Sequence, residues 1–598
     1  MKNANARRGS IRVLVVAMAL AGVTLAQSVV VRAQEQKAEL PAPALRAFVH
    51  LVLVDALVTD KDGKVVTGLG APDFTVLEDG KPQKLTTISF EQAAEVARTL
   101  RSQRASLPPN VTTNRPAYRM PAGPMVIVVL DALNTRSQDQ SRARMELLKY
   151  LDTQLQPGQQ VAVYTLSASL RILQDFTDDP ALLKAAIQGF RPNESIELQI
   201  ADINARMPRM SGAGPEAPLR GGGVNQALGN ALSRMQLFFE DQANLATDAR
   251  VGTTLTAFRY IAQAVAGMPG RKNLVWVTGS FPLATYTRII QYSADAVNDP
   301  NAVRIENDYE DMIRETGSRL NDAQVAVYPV DARGLIGELL GGAERQGVSN
   351  TGELKTGPEY AQDVQLASRT LQETQASMQQ MAADTGGKLF TNRNDLDHSV
   401  ALSAQDGAAY YLLGYTPASK ADGKFHKIAV KVDRPGVTVR ARHGYYAFPF
   451  GEEAKAPKQH DAEVGMAMRA SSPVATGVTF DARVVPPAPA AKMKVGADFL
   501  VDPTTLTVED AGGGSRRLAL EFHAVAYQED GKVAGQRDVA TKATLKAANF
   551  AAIQQQGLPY HVDLELPPGR YMLRLGVVDQ RSGFIGTADL PLLLEGPK

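Results

Sequence analysis

The chain has 598 residues, enough for roughly three or four domains of ordinary size. With 44% hydrophobic and 21% charged residues and a net charge of +1, it is globular in composition and lacks a field that would recruit nucleic acid or an anionic membrane. Cysteine is absent, which excludes disulfides, a lipidated cysteine, thiol catalysis and cysteine-ligated zinc.

The N-terminus reads as an export signal over residues 1–33. Lys2, Arg7, Arg8 and Arg12 precede an apolar core from Val13 to Ala26. Val31-Arg32-Ala33 offers a cleavage site, with Thr24-Leu25-Ala26 as an alternative and an uncleaved anchor as the competing reading. No later segment reaches the roughly 18 apolar residues of a spanning helix, so no membrane insertion is expected after cleavage. The expected location is periplasmic or extracellular.

Residues 41–95 read as β, with Asp79-Gly80 as a hairpin turn inside FTVLEDGKPQKLTTISF. Residues 96–122, with Pro108, Pro109, Pro116 and Pro121, read as a linker. Residues 123–395 alternate strand and helix. The strands are MVIVVL, VAVYTL, KNLVWVT and QVAVYPV, near-continuous apolar runs of the kind that a covered parallel sheet requires. The first is followed by a helix with Met145, Leu148, Leu151 and Leu155 as its apolar stripe. Asp179-Pro180 opens another, Leu255, Phe258, Ala262 and Val265 form the stripe of a third, and Gly386-Gly387 closes a long one. The Gly/Pro-rich stretch within 191–247 breaks this rhythm and reads as a flexible insert, with a helix near Asn225 to Asn244.

Residues 396–450 return to β (AAYYLLGYTP, FHKIAVKVD, VTVRARHGYYA), and 451–465 read as a second linker. The two β segments are each too small to stand alone, so they are expected to pair into one sandwich with the α/β domain inserted between them. Residues 466–598 read as a C-terminal sandwich of immunoglobulin-like type, with Tyr571 after the turn LPPGR. The expected fold class is therefore α/β plus β, with a doubly wound domain at its centre.

The first α/β strand runs into Asp131, at the strand end where open parallel sheets bind ligands. The motifs VTDKDGKVVTGLGAPDFTVLEDGKPQ, DALNT, PGRKNLVWVTGSFP, VYPVDARGL, TGGKLFTNRNDL and YYLLGYTP followed by RHGYY occur in order over about 400 residues. Together they resemble the exported von Willebrand factor A-related proteins abundant in Acidobacteria. That resemblance implies a VWA-like domain whose adhesion-type members hold Mg²⁺ through three loops. Carried onto this chain, the first loop supplies Asp131 and Thr135, the second Thr253 or Thr254, and the third Ser280. The pattern departs twice: Leu133 replaces a hydroxyl, and Thr278-Gly279-Ser280 stands where Thr-Asp-Gly is usual. Asn134 is a further binding candidate through its carbonyl oxygen. Mg²⁺ or another divalent ion is thus a possible cofactor of a degenerate site, with Asp131 as ion ligand or, alternatively, as a cap of its own loop.

Other chemistry is thin. The seven histidines show no metal-ligand spacing, and no nucleophile elbow or Walker A motif occurs. Asp331 ends another strand and reads as a helix cap or a second carboxylate on the same face. The expected function is non-enzymatic: adhesion-type binding of a protein or envelope polymer. A metal-independent envelope scaffold and an unrecognised hydrolase are the alternatives.

Overall fold

The computed structural model describes residues 51–101, 106–119, 123–200, 224–281, 284–288, 304–334, 357–417, 422–447, 457–485, 487, 489–490 and 492–596. Residues 1–33, read as an export signal, and the centre of the expected insert, 201–223, lie outside them.

The central sheet contains β1 (Met125–Asp131), β2 (Gln160–Leu166), β3 (Leu170–Thr177), β4 (Lys272–Thr278) and β5 (Val325–Asp331) in the order β5-β4-β1-β2-β3. The β1–β2, β1–β4 and β4–β5 pairs are parallel, and β3 folds back antiparallel on β2. Every residue of β1, β2, β4 and β5 is buried, which is why these strands read as unbroken apolar runs rather than alternating ones. Pro329 is tolerated because β5 is the edge strand.

Helices cover both faces. Ile127 and Val129 of β1 pack with Leu255, Phe258 and Ile261 of α2 (Val224–Val265). Val126, Val128 and Leu130 face the opposite way, against Leu147 and Leu151 of α1 (Ser137–Thr153) and Val400 of the helix Leu396–Gln405. The stripe expected on α1 holds in part: Leu151 is buried and Leu148 and Leu155 pack against the core, but Met145 is exposed and Gln140, Ala143, Leu147 and Tyr150 are buried beside it. Small Ala143 and amphipathic Tyr150 share the inward face with Leu147 and Leu151. Asp179 caps the helix Pro180–Gly189, its carboxylate accepting from the Ala181 N–H at 2.8 Å.

The long helix Gly357–Thr385 ends at Gly386, with φ +72°, and the Gly387 N–H returns to the Ala382 carbonyl at 2.8 Å. Gly387 lies directly against β5: a Cβ there would sit 1.9 Å from the Val327 carbonyl oxygen. Gly387→Ala must therefore push the helix end off the sheet. We expect a loss of several kcal/mol, read as a fall of many degrees in the melting midpoint. A midpoint within about 2 °C of the parent would contradict the close approach.

The strands on either side of the α/β unit belong together. Val52–Thr59 pairs with Ala409–Tyr415, which pairs with Leu85–Gln92, while Phe74–Glu78 pairs with Phe425–Val432. Two four-stranded antiparallel sheets result, with Val54, Phe74, Val76, Tyr411, Leu413 and Tyr445 in the shared core. The Asp79-Gly80 turn takes φ of +48° and +79°, the double left-handed geometry of a tight hairpin.

The C-terminal strands build a third core around Phe480, Phe499, Phe522, Leu573 and Val577. The Tyr571 hydroxyl donates to the Pro567 carbonyl at 3.0 Å, a tyrosine corner of the kind immunoglobulin-like sandwiches use.

Both linker readings need correction. Within 96–122, Val111–Thr113 joins the C-terminal sheet as an edge strand on Phe480–Val485. Buried Asn114 pins it, donating to the Ala475 and Val478 carbonyls at 2.8 Å. The flanking prolines permit this because an edge strand tolerates missing donors. Within 451–465, the helix Pro457–Ala467 is anchored by Glu463, whose Oε1 accepts from buried Arg259 of α2 at 2.9 Å.

Candidate functional site

The order β5-β4-β1-β2-β3 makes β1 the strand where the chain changes direction across the sheet. The loop leaving it begins at Asp131, which is buried at 2% exposure. Oδ1 of Asp131 accepts from the Asn134 backbone N–H at 3.0 Å. Oδ2 accepts from Asn134 Nδ2 at 2.9 Å, Trp276 Nε1 at 2.8 Å and the Thr278 hydroxyl at 2.9 Å. Burial pushes the carboxyl pKa up, and these hydrogen bonds oppose it. The donors converge on both oxygens, the pattern an ionised carboxylate accepts.

Asn134 is the hub. Its Nδ2 also donates to the Thr254 hydroxyl at 2.9 Å, and its Oδ1 accepts from Nη1 of Arg250 at 3.2 Å. The amide orientation follows from chemistry, because the acceptor-only carboxylate needs N–H and the donor-only guanidinium needs C=O. Thr254 donates onward to the Arg250 carbonyl at 2.8 Å, one helical turn back on α2. The third loop closes over the first: the Gly279 N–H donates to the Thr135 hydroxyl at 2.9 Å, and the Ser280 hydroxyl to the Asn134 carbonyl at 3.1 Å.

Asp131, Asn134, Thr135, Thr254 and Ser280 are therefore brought into one network spanning the loops after β1 and β4 and helix α2, in which Thr254 lies rather than in a loop; Thr253 is not part of it. The sequence reading missed Trp276, Thr278 and Arg250. Two signals were available. Trp276 is the only tryptophan, and a buried indole N–H needs an acceptor. Arg250 lies four residues before Thr254, on the same helical face. The indole is fixed edge-on between Phe258 and Phe281, at centroid distances of 4.9 and 5.1 Å.

A divalent ion does not fit this arrangement. Mg²⁺ needs oxygens at about 2.0–2.1 Å in near-octahedral array. Here an amide N–H group bridges the Asp131 and Thr254 oxygens, and Thr135 and Ser280 each bond to the neighbouring loop's backbone. Arg250, 5% exposed, sets a positive charge beside the same amide. Leu133 points into the apolar core with Leu166 and Leu170. Gly279 is tight for a side chain: a Cβ would lie 3.2 Å from the Asn134 backbone carbonyl oxygen, so the first loop would have to give by a few tenths of an ångström. Of the two Asn134 oxygens, the side-chain amide oxygen faces the Arg250 guanidinium and the backbone carbonyl accepts from the Ser280 hydroxyl.

Asp331 does not join the network. Its carboxylate accepts from Arg333 Nε and Nη2, both at 2.8 Å, and from the Arg333 backbone N–H at 3.0 Å, so it is not a second free carboxylate; the segment it was expected to cap lies outside the described residues.

No protein-family model matches the chain, and no curated protein matches it. Solved structures similar to it include proximal thread matrix protein 1 of the mussel byssus (12% identity, 47% of each chain, TM-score 0.22). An aerotolerance-related membrane protein of Bacteroides fragilis is matched at 11% identity over 47% of this chain and 98% of that one, with TM-score 0.21. The pilus adhesin SpaC of Lactobacillus rhamnosus GG is matched at 8% identity over 88% of this chain and 62% of that one, with TM-score 0.23. The match to the mussel protein spans about half of that protein's length.

Proposed function

We propose that the protein is an exported, non-enzymatic binding protein whose VWA-like domain engages a protein partner without a divalent ion. The observation that carries this reading is the Asp131–Asn134–Arg250 network. It ties the loops after β1 and β4 to α2 by internal hydrogen bonds, where an adhesion-type site would use an ion. Asp131 here is a structural anchor, and recognition falls to the surface around the loops.

That surface has an apolar component. Met235, Phe238 and Leu245 on α2 are 49%, 58% and 60% exposed. Their spacing puts them on one side of the helix that also carries Arg250 and Thr254. An exposed apolar row of this kind suits a protein partner with an apolar face. Among the described residues, no helix is long and apolar enough to cross a membrane.

The test is affinity capture from the cell-envelope fraction with the full chain as bait. Partners retained equally in EDTA and in Mg²⁺, but depleted by Phe238→Ser combined with Leu245→Ser, are the expected result. Release of the partners by EDTA would contradict ion independence, and indifference to the double substitution would remove α2 from the interface.

A further inference from the structure

Away from the strand-end loops, among the described residues, the hairpin turn of the first β segment meets a strand of the second around a compact ligand set. Ligand atoms of Glu78, Asp79 and His426 all lie within 4.8 Å of one another. We propose that these three residues form a zinc-type transition-metal site joining the two β segments that flank the α/β unit.

The distances suit the ion. A tetrahedral zinc with ligands at about 2.0–2.1 Å separates them by roughly 3.3 Å. His426 Nδ1 lies 2.8 Å from Asp79 Oδ2 and 4.0 Å from Glu78 Oε1, so the observed separations bracket that value. One nitrogen and two carboxylates leave a fourth position for water.

The surroundings supply the outer shell that such sites need. A ligating histidine usually gives its other ring N–H to a carboxylate, and ligating carboxylates are themselves hydrogen-bonded. Nε2 of His426 lies 3.1 Å from Asp422 Oδ1. Glu78 Oε2 accepts from the Tyr415 hydroxyl at 2.7 Å and the Tyr445 hydroxyl at 3.3 Å, turning Oε1 toward the histidine. The Tyr445 ring also stacks on the imidazole, with centroids 5.7 Å apart and planes 27° from parallel. Asp79 is held by the Lys427 N–H, which donates to its Oδ1 at 2.9 Å and leaves Oδ2 on the histidine side.

The backbone explains why these groups meet. Glu78 ends Phe74–Glu78 opposite Ile428, and the left-handed Asp79 turn lays its carboxylate beside Lys427. His426 therefore projects onto the turn from the adjoining strand. The residues are 347 positions apart in the chain, so an ion here would close the sandwich as a cross-link. In a protein with no cysteine, this is a cross-link that export into an oxidising compartment could not otherwise provide.

The experiment is calorimetric titration of Zn²⁺ into the full chain after EDTA treatment and dialysis, with Mg²⁺ as control. One equivalent of Zn²⁺ and no Mg²⁺ response at this site are expected. His426→Gln and Asp79→Asn should each weaken zinc binding at least tenfold, and Tyr415→Phe, which alters only the outer shell, about tenfold. Asp79→Asn keeps the acceptor for the Lys427 N–H and sits in an exposed turn, so unchanged circular dichroism separates lost ligation from misfolding. Absence of saturable zinc heat would overturn the proposal. So would zinc binding unchanged in both His426→Gln and Asp79→Asn, which would move the ion elsewhere.

Discussion

Asp131→Ala is expected to destabilise the α/β domain by about 3–5 kcal/mol, the usual cost of stripping a buried charge from its partners. The substitution leaves the Trp276 indole N–H, the Thr278 hydroxyl, the Asn134 amide and its backbone N–H facing a void, each a buried group that has lost its acceptor. It also leaves Arg250 buried at 5% exposure without the carboxylate to which Asn134 relays its charge. The only tryptophan lies in the network, so its fluorescence reports this domain's transition directly in a urea titration. A midpoint lowered well outside error and an altered emission maximum are expected. A loss below about 1 kcal/mol with unchanged emission would mean that Asp131 is not an anchor, and that the loops are held some other way.

The contribution of Lys272 to stability should rise between about pH 7 and pH 10, against the opposite contribution of His426, His460, His523 and His561, whose carboxylate partners raise their pKa values. This lysine opens β4, is 1% exposed, and donates from Nζ to the Met268 carbonyl. Burial lowers its pKa to about 7, only partly offset by the charge of Asp55. An unfolded lysine titrates near 10.4. Between those values the unfolded chain binds the extra proton, so the unfolding free energy increases with pH, by at most about 1.4 kcal/mol per unit. Below pH 7 both states are protonated and the full penalty of the buried charge is present. Lys272→Met should therefore stabilise the protein at pH 6 by on the order of 3 kcal/mol, after allowing about 1 kcal/mol for the lost hydrogen bond, and should flatten the slope from pH 7 to 10. Above pH 10 the trend reverses, because burial raises the hydroxyl pKa values of Tyr260 and Tyr328 to about 12. Denaturant midpoints at pH 6, 8 and 9.5 for parent and variant check this. Parallel pH profiles would show that Lys272 is not the titrating group.

Much of the central sheet is legible in the sequence because its strands are buried on both faces, and MVIVVL, VAVYTL, KNLVWVT and QVAVYPV are mostly apolar runs with few polar residues. Asp131 stands out for the same reason, as the first charge after a fully apolar run. What the sequence conceals is the use made of that charge. Whether a strand-end carboxylate binds an ion or a tryptophan depends on what α2 and β4 place above it, and those residues lie up to 147 positions away. Proline content misled at Val111–Thr113, where three β-branched residues sufficed for an edge strand. Met145 misled on α1, because Ala143 and Tyr150 join Leu147 and Leu151 on the inward face and leave Met145 exposed. The Glu78–Asp79–His426 cluster was out of reach, since it exists only once two distant β segments pair.

The proposed replacement of an ion by Asn134 and Arg250 is tested most directly by calorimetric titration of Mg²⁺ into the full chain after EDTA treatment and dialysis. No saturable heat is expected up to several millimolar Mg²⁺, from the parent or from Asp131→Asn. Saturable Mg²⁺ binding by the parent that disappears in Asp131→Asn would contradict the replacement and restore Asp131 as an ion ligand.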